Sequence, residues 1–154
     1  MSDFDHYLHR IITAAAGEAT ADGSGTVEAH HLLLAIARDG TSPALAAAGL
    51  DHAAVRRALD RELTHSLAAA GVHLDGALPT PAAPEGNPKL GATARAAIDR
   101  GLQAVPRKRD CRPPHVLLGV VLTPVGTVPR ALELAGVDRD GLADGVRQEV
   151  TDAG

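Results

Sequence analysis

The sequence predicts an all-α fold: eight helices forming two four-helix repeats related by a pseudo-two-fold axis. Three observations carry this. Hydrophobic residues make up 45% of the 154, yet aromatics only 1%, namely Phe4 and Tyr7. A core of Ala, Leu, Val and Ile favours packed helices over a sheet, because Ala and Leu are strong helix formers and small side chains let helices approach closely. Apolar residues recur at helical spacing through most of the chain. The pattern of the first half then returns in the second.

Residues 5–19 read as a first helix, with Leu8, Ile11, Ile12, Ala15 and Ala19 on one stripe. Gly23-Ser24-Gly25 breaks it. Residues 28–38 form a second helix that is apolar nearly all round, which places it centrally. Ser42-Pro43 is a cap followed by proline at the first helical position, opening a short third helix to about Ala48, with Gly49 where a terminal glycine belongs. Asp51 caps a fourth helix in which Val55, Leu59, Leu63 and Leu67 repeat every four residues. Residues 71–91, rich in proline and glycine, read as a linker. The pattern resumes near Thr93 with Ala94, Ala97, Ile98, Leu102 and Val105. After Arg112-Pro113-Pro114 comes a second all-round apolar helix, His115 to Leu122. A short helix at about 129–135 ends at Gly136, and Asp138 caps the last, with Leu142, Val146 and Val150 four apart.

The halves align: His31 with His115, Leu33 with Leu117, Ala35 with Gly119, Pro43 with Pro129, Leu45 with Leu132, Gly49 with Gly136 and Asp51 with Asp138. Such a repeat implies two four-helix modules that bury their apolar second helices against each other. The expectation is one domain over residues 1–154, with repeat one at about 4–69, the linker at about 71–91 and repeat two at about 92–151.

Composition narrows the function. A net charge of −4 and no stacking surface argue against nucleic acid. Arg107-Lys108-Arg109 with Arg112 is a local basic cluster that reads as a solvated loop, with a phosphate or acidic-partner site as the alternative. One cysteine, Cys111, permits no intramolecular disulfide and fits a reducing compartment. The N-terminus lacks the order of a signal peptide, and no segment is apolar enough to span a membrane. The expected location is cytoplasmic.

The chemical motifs are weak. His30 and His31 are adjacent, point about 100° apart on a helix and are not expected to chelate together. His31 and His115 read as buried groups hydrogen-bonded near helix starts. His6 and His9 read as solvent-facing. Cys111 and His115 stand four apart and suggest a small Cys/His hydrolase or metal enzyme as the alternative function, but prolines intervene and no orienting group is apparent. No metal, cofactor or catalytic residue is expected.

The duplicated motifs His31-Leu32-Leu33-Leu34-Ala35-Ile36 and His115-Val116-Leu117-Leu118-Gly119-Val120, each followed by an Ala/Leu-rich helix and a Gly-Leu-Asp or Gly-Val-Asp turn, resemble the N-terminal domain of the Clp unfoldases. Phe4 precedes the first helix as the family often has it. The resemblance spans about residues 4–150 and implies a non-catalytic, chaperone-related module. No G-x-x-x-x-G-K-[ST] phosphate loop is present, which reads as a stand-alone protein without ATPase modules. By resemblance its partners are peptides or unfolded protein segments, Clp adaptors or a Clp unfoldase, and the cyclic-peptide antibiotics that bind ClpC, which would make it a decoy or modulator. The family's phosphoarginine sites use a Glu just before each motif histidine; here those positions hold His30 and Pro114, without fixed negative charge. Glu28 is read as two residues off register, about 200° around the helix. The expected ligand surface gathers Phe4, Tyr7, His30, Lys89, Leu90, Thr93 and Arg95. Phe4 and Tyr7 are its aromatic anchors.

Overall fold

The computed structural model describes residues 2–73 and 86–153. Among them are eight α-helices: α1 (Asp3–Ala21), α2 (Ala29–Asp39), α3 (Pro43–Ala47), α4 (His52–Ala69), α5 (Ala92–Leu102), α6 (Pro113–Val121), α7 (Thr127–Leu134) and α8 (Arg139–Ala153). None is long and apolar enough to cross a membrane.

Local chemistry sets the ends. Ser2 Oγ accepts from Asp5 N–H while the Asp5 carboxylate accepts from Ser2 N–H, a reciprocal cap on α1. Ser42 and Asp51 cap α3 and α4. Gly49 and Gly136 follow α3 and α7 with φ of 71° and 73°, a region only glycine enters at little cost. Each lets the next residue's N–H turn back onto the helix: Leu50 to the Leu45 carbonyl (2.8 Å), Val137 to that of Leu132 (3.0 Å). The expected repeat is thus visible down to its turns.

Packing obeys the same exchange. α1 lies on α2 and α5 on α6; α1 also meets α6 and α2 meets α5; α3 meets α8 and α4 meets α7. Swapping the four helices of one repeat for those of the other leaves these pairings unchanged, as a two-fold axis requires. α2 and α6 meet at the centre. From His31 to Ala37 and from His115 to Val121 every residue is buried. Burying each Leu or Val side chain contributes about 1.5–3 kcal/mol.

One element departs from the helical expectation. Thr26–Val27 (β1) and Lys89–Leu90 (β2) form a two-stranded parallel bridge with Thr26 opposite Lys89 and Val27 opposite Leu90. Lys89 N–H reaches the Gly25 carbonyl at 3.1 Å, and Gly91 N–H that of Val27 at 2.8 Å. The end of the expected linker is therefore tied to the loop before α2. Most of that linker, residues 74–85, lies outside the described residues.

Candidate functional site

The two motif histidines do the same job. His31 and His115 are 1% and 3% exposed. His31 Nδ1 accepts from Glu28 N–H at 2.9 Å, and His115 Nδ1 from Arg112 N–H at 2.8 Å. Each ring thus stands third in its helix and satisfies the backbone donor of its N-cap, as Glu does in a capping box. With Nδ1 accepting, the His31 proton sits on Nε2, which donates to Asp22 (3.0 Å).

Glu28 is the residue that helical register misplaced. It precedes α2 in extended conformation (φ −108°, ψ 174°), so a rotation counted along the helix does not apply to it. Its carboxylate accepts from Thr26 Oγ1 (2.6 Å), from Thr93 Oγ1 (2.8 Å) and from Thr93 N–H (3.3 Å). Thr93 Oγ1 in turn accepts from Ala29 N–H at 2.8 Å. Burial pushes the Glu28 carboxyl upward, but the threonine bonds hold it below its ordinary value. A side chain on Gly91 would fill the space that the carboxylate occupies.

The seven expected ligand residues do not form one site. Lys89, Leu90 and Thr93 do gather at this junction of the α2 and α5 starts, with Lys89 and Arg95 exposed and Leu90 half-buried. Phe4 and Tyr7 are instead 6% and 8% exposed, in the core at the far end of α1. Phe4 stands roughly 25 Å along the helix from its C-terminal end, beside which α2 begins. In a chain so poor in aromatics these rings fill core volume. Burial raises the Tyr7 hydroxyl pKa, and the Arg10 guanidinium covers the ring at 5.3 Å.

His30 lines a different feature. An open cleft of about 1390 Å³ runs along α4, bounded by the end of α1, the start of α2 and Thr127 of α7. Its polar wall is an ion network. Buried Glu18 accepts from Arg38 Nε (3.0 Å) and Arg56 Nη2 (3.4 Å), and His52 Nε2 lies 2.7 Å from its carboxylate. Arg56 also reaches Asp22 (2.9 Å). Burial works against the Asp22 carboxylate, but the His31 bond and the Arg56 charge keep its pKa below the ordinary value. The apolar wall includes Leu59, Leu63 and Leu67. Leu63 is 45% exposed although it shares the four-residue spacing of the buried Val55 and Leu59. α4 continues past the shorter helices it packs on, so the stripe runs out into solvent.

His30 and His31 also come together, contrary to the expectation from helical spacing. Their ring centroids are 4.1 Å apart, and one ligand atom from each lies within 4.8 Å of Asp22. Side-chain torsions swing the rings together although their Cβ atoms diverge. The donor chemistry does not suit a cation: His31 has one nitrogen on a backbone N–H and the other on Asp22, whose second oxygen holds Arg56. Nor do Cys111 and His115 make a nucleophile pair. Cys111 is buried, burial raises its thiol pKa, and His115 Nδ1 is spent on its cap.

With this geometry the comparisons agree. The family model described as Clp repeat (R) N-terminal domain matches residues 3–105. The chain belongs to the Clp N-terminal domain family. The crystal structure of the N-terminal domain of the caseinolytic protease associated chaperone ClpD from Arabidopsis thaliana shares the fold. It superposes with a TM-score of 0.67 at 17% identity, over 94% of this chain and 92% of that one. No curated protein matches. The family match stops at Val105, so the second Clp repeat rests on the structural likeness and on the shared histidine caps. Sequence reading missed Glu18, Asp22 and Arg56, and set Glu28 aside as off register. For Glu28 a signal existed: Pro113 marks Arg112 as the N-cap of α6, and aligning His115 with His31 transfers that role to Glu28.

Proposed function

We propose that this Clp N-domain is a non-catalytic module that receives peptide or unfolded protein segments in the cleft along α4. The cleft itself carries the reading. At about 1390 Å³ it exceeds the ~300–1,000 Å³ of small-molecule sites. It pairs the exposed Leu63 and half-buried Leu67 with a polar wall on which Glu18 and Asp22 are ion-paired to Arg38 and Arg56. Such a surface accepts apolar side chains, and the buried carboxylates of its wall need no counter-charge from the segment.

Phosphoarginine is disfavoured as the ligand. Glu28 at the first junction is engaged with Thr93, and Pro113 and Pro114 leave the start of α6 without two backbone donors. In this reading the partners are substrate segments, adaptors or a Clp unfoldase, and a module of this kind competes with full-length ClpC for them or for its cyclic-peptide ligands. The test is titration with a labelled, permanently unfolded carboxymethylated protein. Saturable binding that weakens about tenfold with Leu63→Asp supports the proposal. Absence of binding, or binding indifferent to Leu63→Asp, overturns it.

A further inference from the structure

The N-cap positions three residues before the two motif histidines hold opposite charges. Glu28 and Arg112 make the same backbone bond to their histidines, at 2.9 and 2.8 Å. Their side chains then diverge. Glu28 is consumed inside the first junction by Thr26 and Thr93. Arg112 belongs to a segment, residues 107–112, that carries four cations and the single carboxylate Asp110, in a chain whose net charge is −4.

That segment is held in shape rather than left as a solvated loop. Residues Lys108–Asp110 form a turn of 3-10 helix. Asp110 N–H bonds the Arg107 carbonyl and Cys111 N–H that of Lys108, both at 3.0 Å. The Arg112 guanidinium clamps the carbonyls of Arg109 (3.0 Å) and Cys111 (3.1 Å) from one side. Cys111, 2% exposed, pins the segment to the core. Lys108 Nζ lies 3.0 Å from Asp5, fastening it to the first turn of α1. Arg107 and Arg109 are exposed and have no carboxylate within ion-pair distance among the described residues. Ordering their backbone in advance lowers the entropy cost of meeting a partner.

We propose that this basic platform docks an acidic segment of a protein partner, and so names a second contact surface of the binding module argued above. Backbone amides cannot supply the recognition, because Pro113 and Pro114 open α6; the guanidinium side chains must. Nucleic acid fits poorly: the cations are few against the six to ten phosphate contacts of a typical complex, and no aromatic is exposed for stacking.

The test uses the full chain and a labelled oligo-glutamate peptide in anisotropy titrations, with oligo-lysine and a single-stranded oligonucleotide as comparators. The expected result is salt-sensitive binding of oligo-glutamate alone, weakened about tenfold by Arg107→Glu with Arg109→Glu and largely kept by the corresponding lysine variants. Both positions are exposed, so unchanged thermal melting certifies the fold. Equal binding by the charge-reversed variant, equal binding of oligo-lysine, or tighter binding of the oligonucleotide overturns the proposal. Leu63→Asp separates the two readings. If it still weakens capture of an unfolded protein about tenfold while charge reversal leaves oligo-glutamate binding unchanged, the platform falls and the cleft stands.

Discussion

Glu28 and Thr93, 65 residues apart in sequence, cap each other's helices: the carboxylate of one receives the hydroxyl and N–H at the start of α5, and that hydroxyl receives the N–H of Ala29 at the start of α2. The two repeats are thus sewn together at their helix ends, where backbone donors would otherwise go unpaired. Thr93→Val keeps the shape and removes both hydroxyl bonds. The expected cost is about 1–2 kcal/mol, read as a shift in the denaturant midpoint. A double-mutant cycle with Glu28→Ala is expected to show coupling of at least ~0.5 kcal/mol. Strict additivity would mean that the residues act independently.

Gly91→Ala tests the same arrangement from another side. An added Cβ would lie 2.4 Å from both Glu28 carboxylate oxygens, so the side chain must leave. Its cost is expected to match that of Thr93→Val and to add little to it, since both changes break one cap. A neutral Gly91→Ala would show that Glu28 has an equally good alternative position.

Two glycines set how closely the helices of the second repeat approach. A Cβ on Gly119 would fall 1.9 Å from the Ala97 carbonyl oxygen, and one on Gly101 2.1 Å from that of His115. Both obstacles are backbone and cannot rotate away. Gly119→Ala is expected to destabilise by about 3 kcal/mol or more. Gly17, exposed within α1, meets nothing within 4 Å. Gly17→Ala is expected to stabilise by ~0.5–1 kcal/mol through helix propensity alone. Thermal melting of both variants decides, and equal effects would contradict the close α5–α6 crossing. The first repeat carries Ala35 where the second has Gly119, so its crossing accommodates a methyl.

The helices were legible because their signals are local: Ser42-Pro43, Asp51, Gly49 and Gly136 act within one turn of where they stand. The repeat was legible because His31 and His115 occupy equivalent caps. The candidate site was much less so. The Glu28–Thr93 contact joins two loops that only tertiary packing brings together. Phe4 and Tyr7 looked like anchors by residue type, yet burial was decided by the volume an Ala-rich core leaves open. Leu63 shared a perfect helical stripe with Leu59, and nothing in the spacing tells where the neighbouring helix stops.

His30 gives the fold a pH dependence of definite sign. Burial, with His31 beside it, brings its pKa from 6.5 down to about 4, against the smaller opposing pull of Asp22 and Glu28. The unfolded chain therefore takes up this proton first as pH falls. The stability that neutral His30 allows is full above about pH 6.5 and drains away progressively toward pH 4, amounting to ~3 kcal/mol over that interval. His115, lowered mainly by burial, acts in the same direction. Asp22 and Glu28 are held below their ordinary values, so their contributions are full above about pH 4.5 and are lost as pH falls below it. His30→Gln should flatten the fall in melting temperature between pH 7 and pH 4.5 without altering the steeper loss below it. An unchanged slope would mean that the ring is hydrated in the cleft and titrates as it does in the unfolded chain.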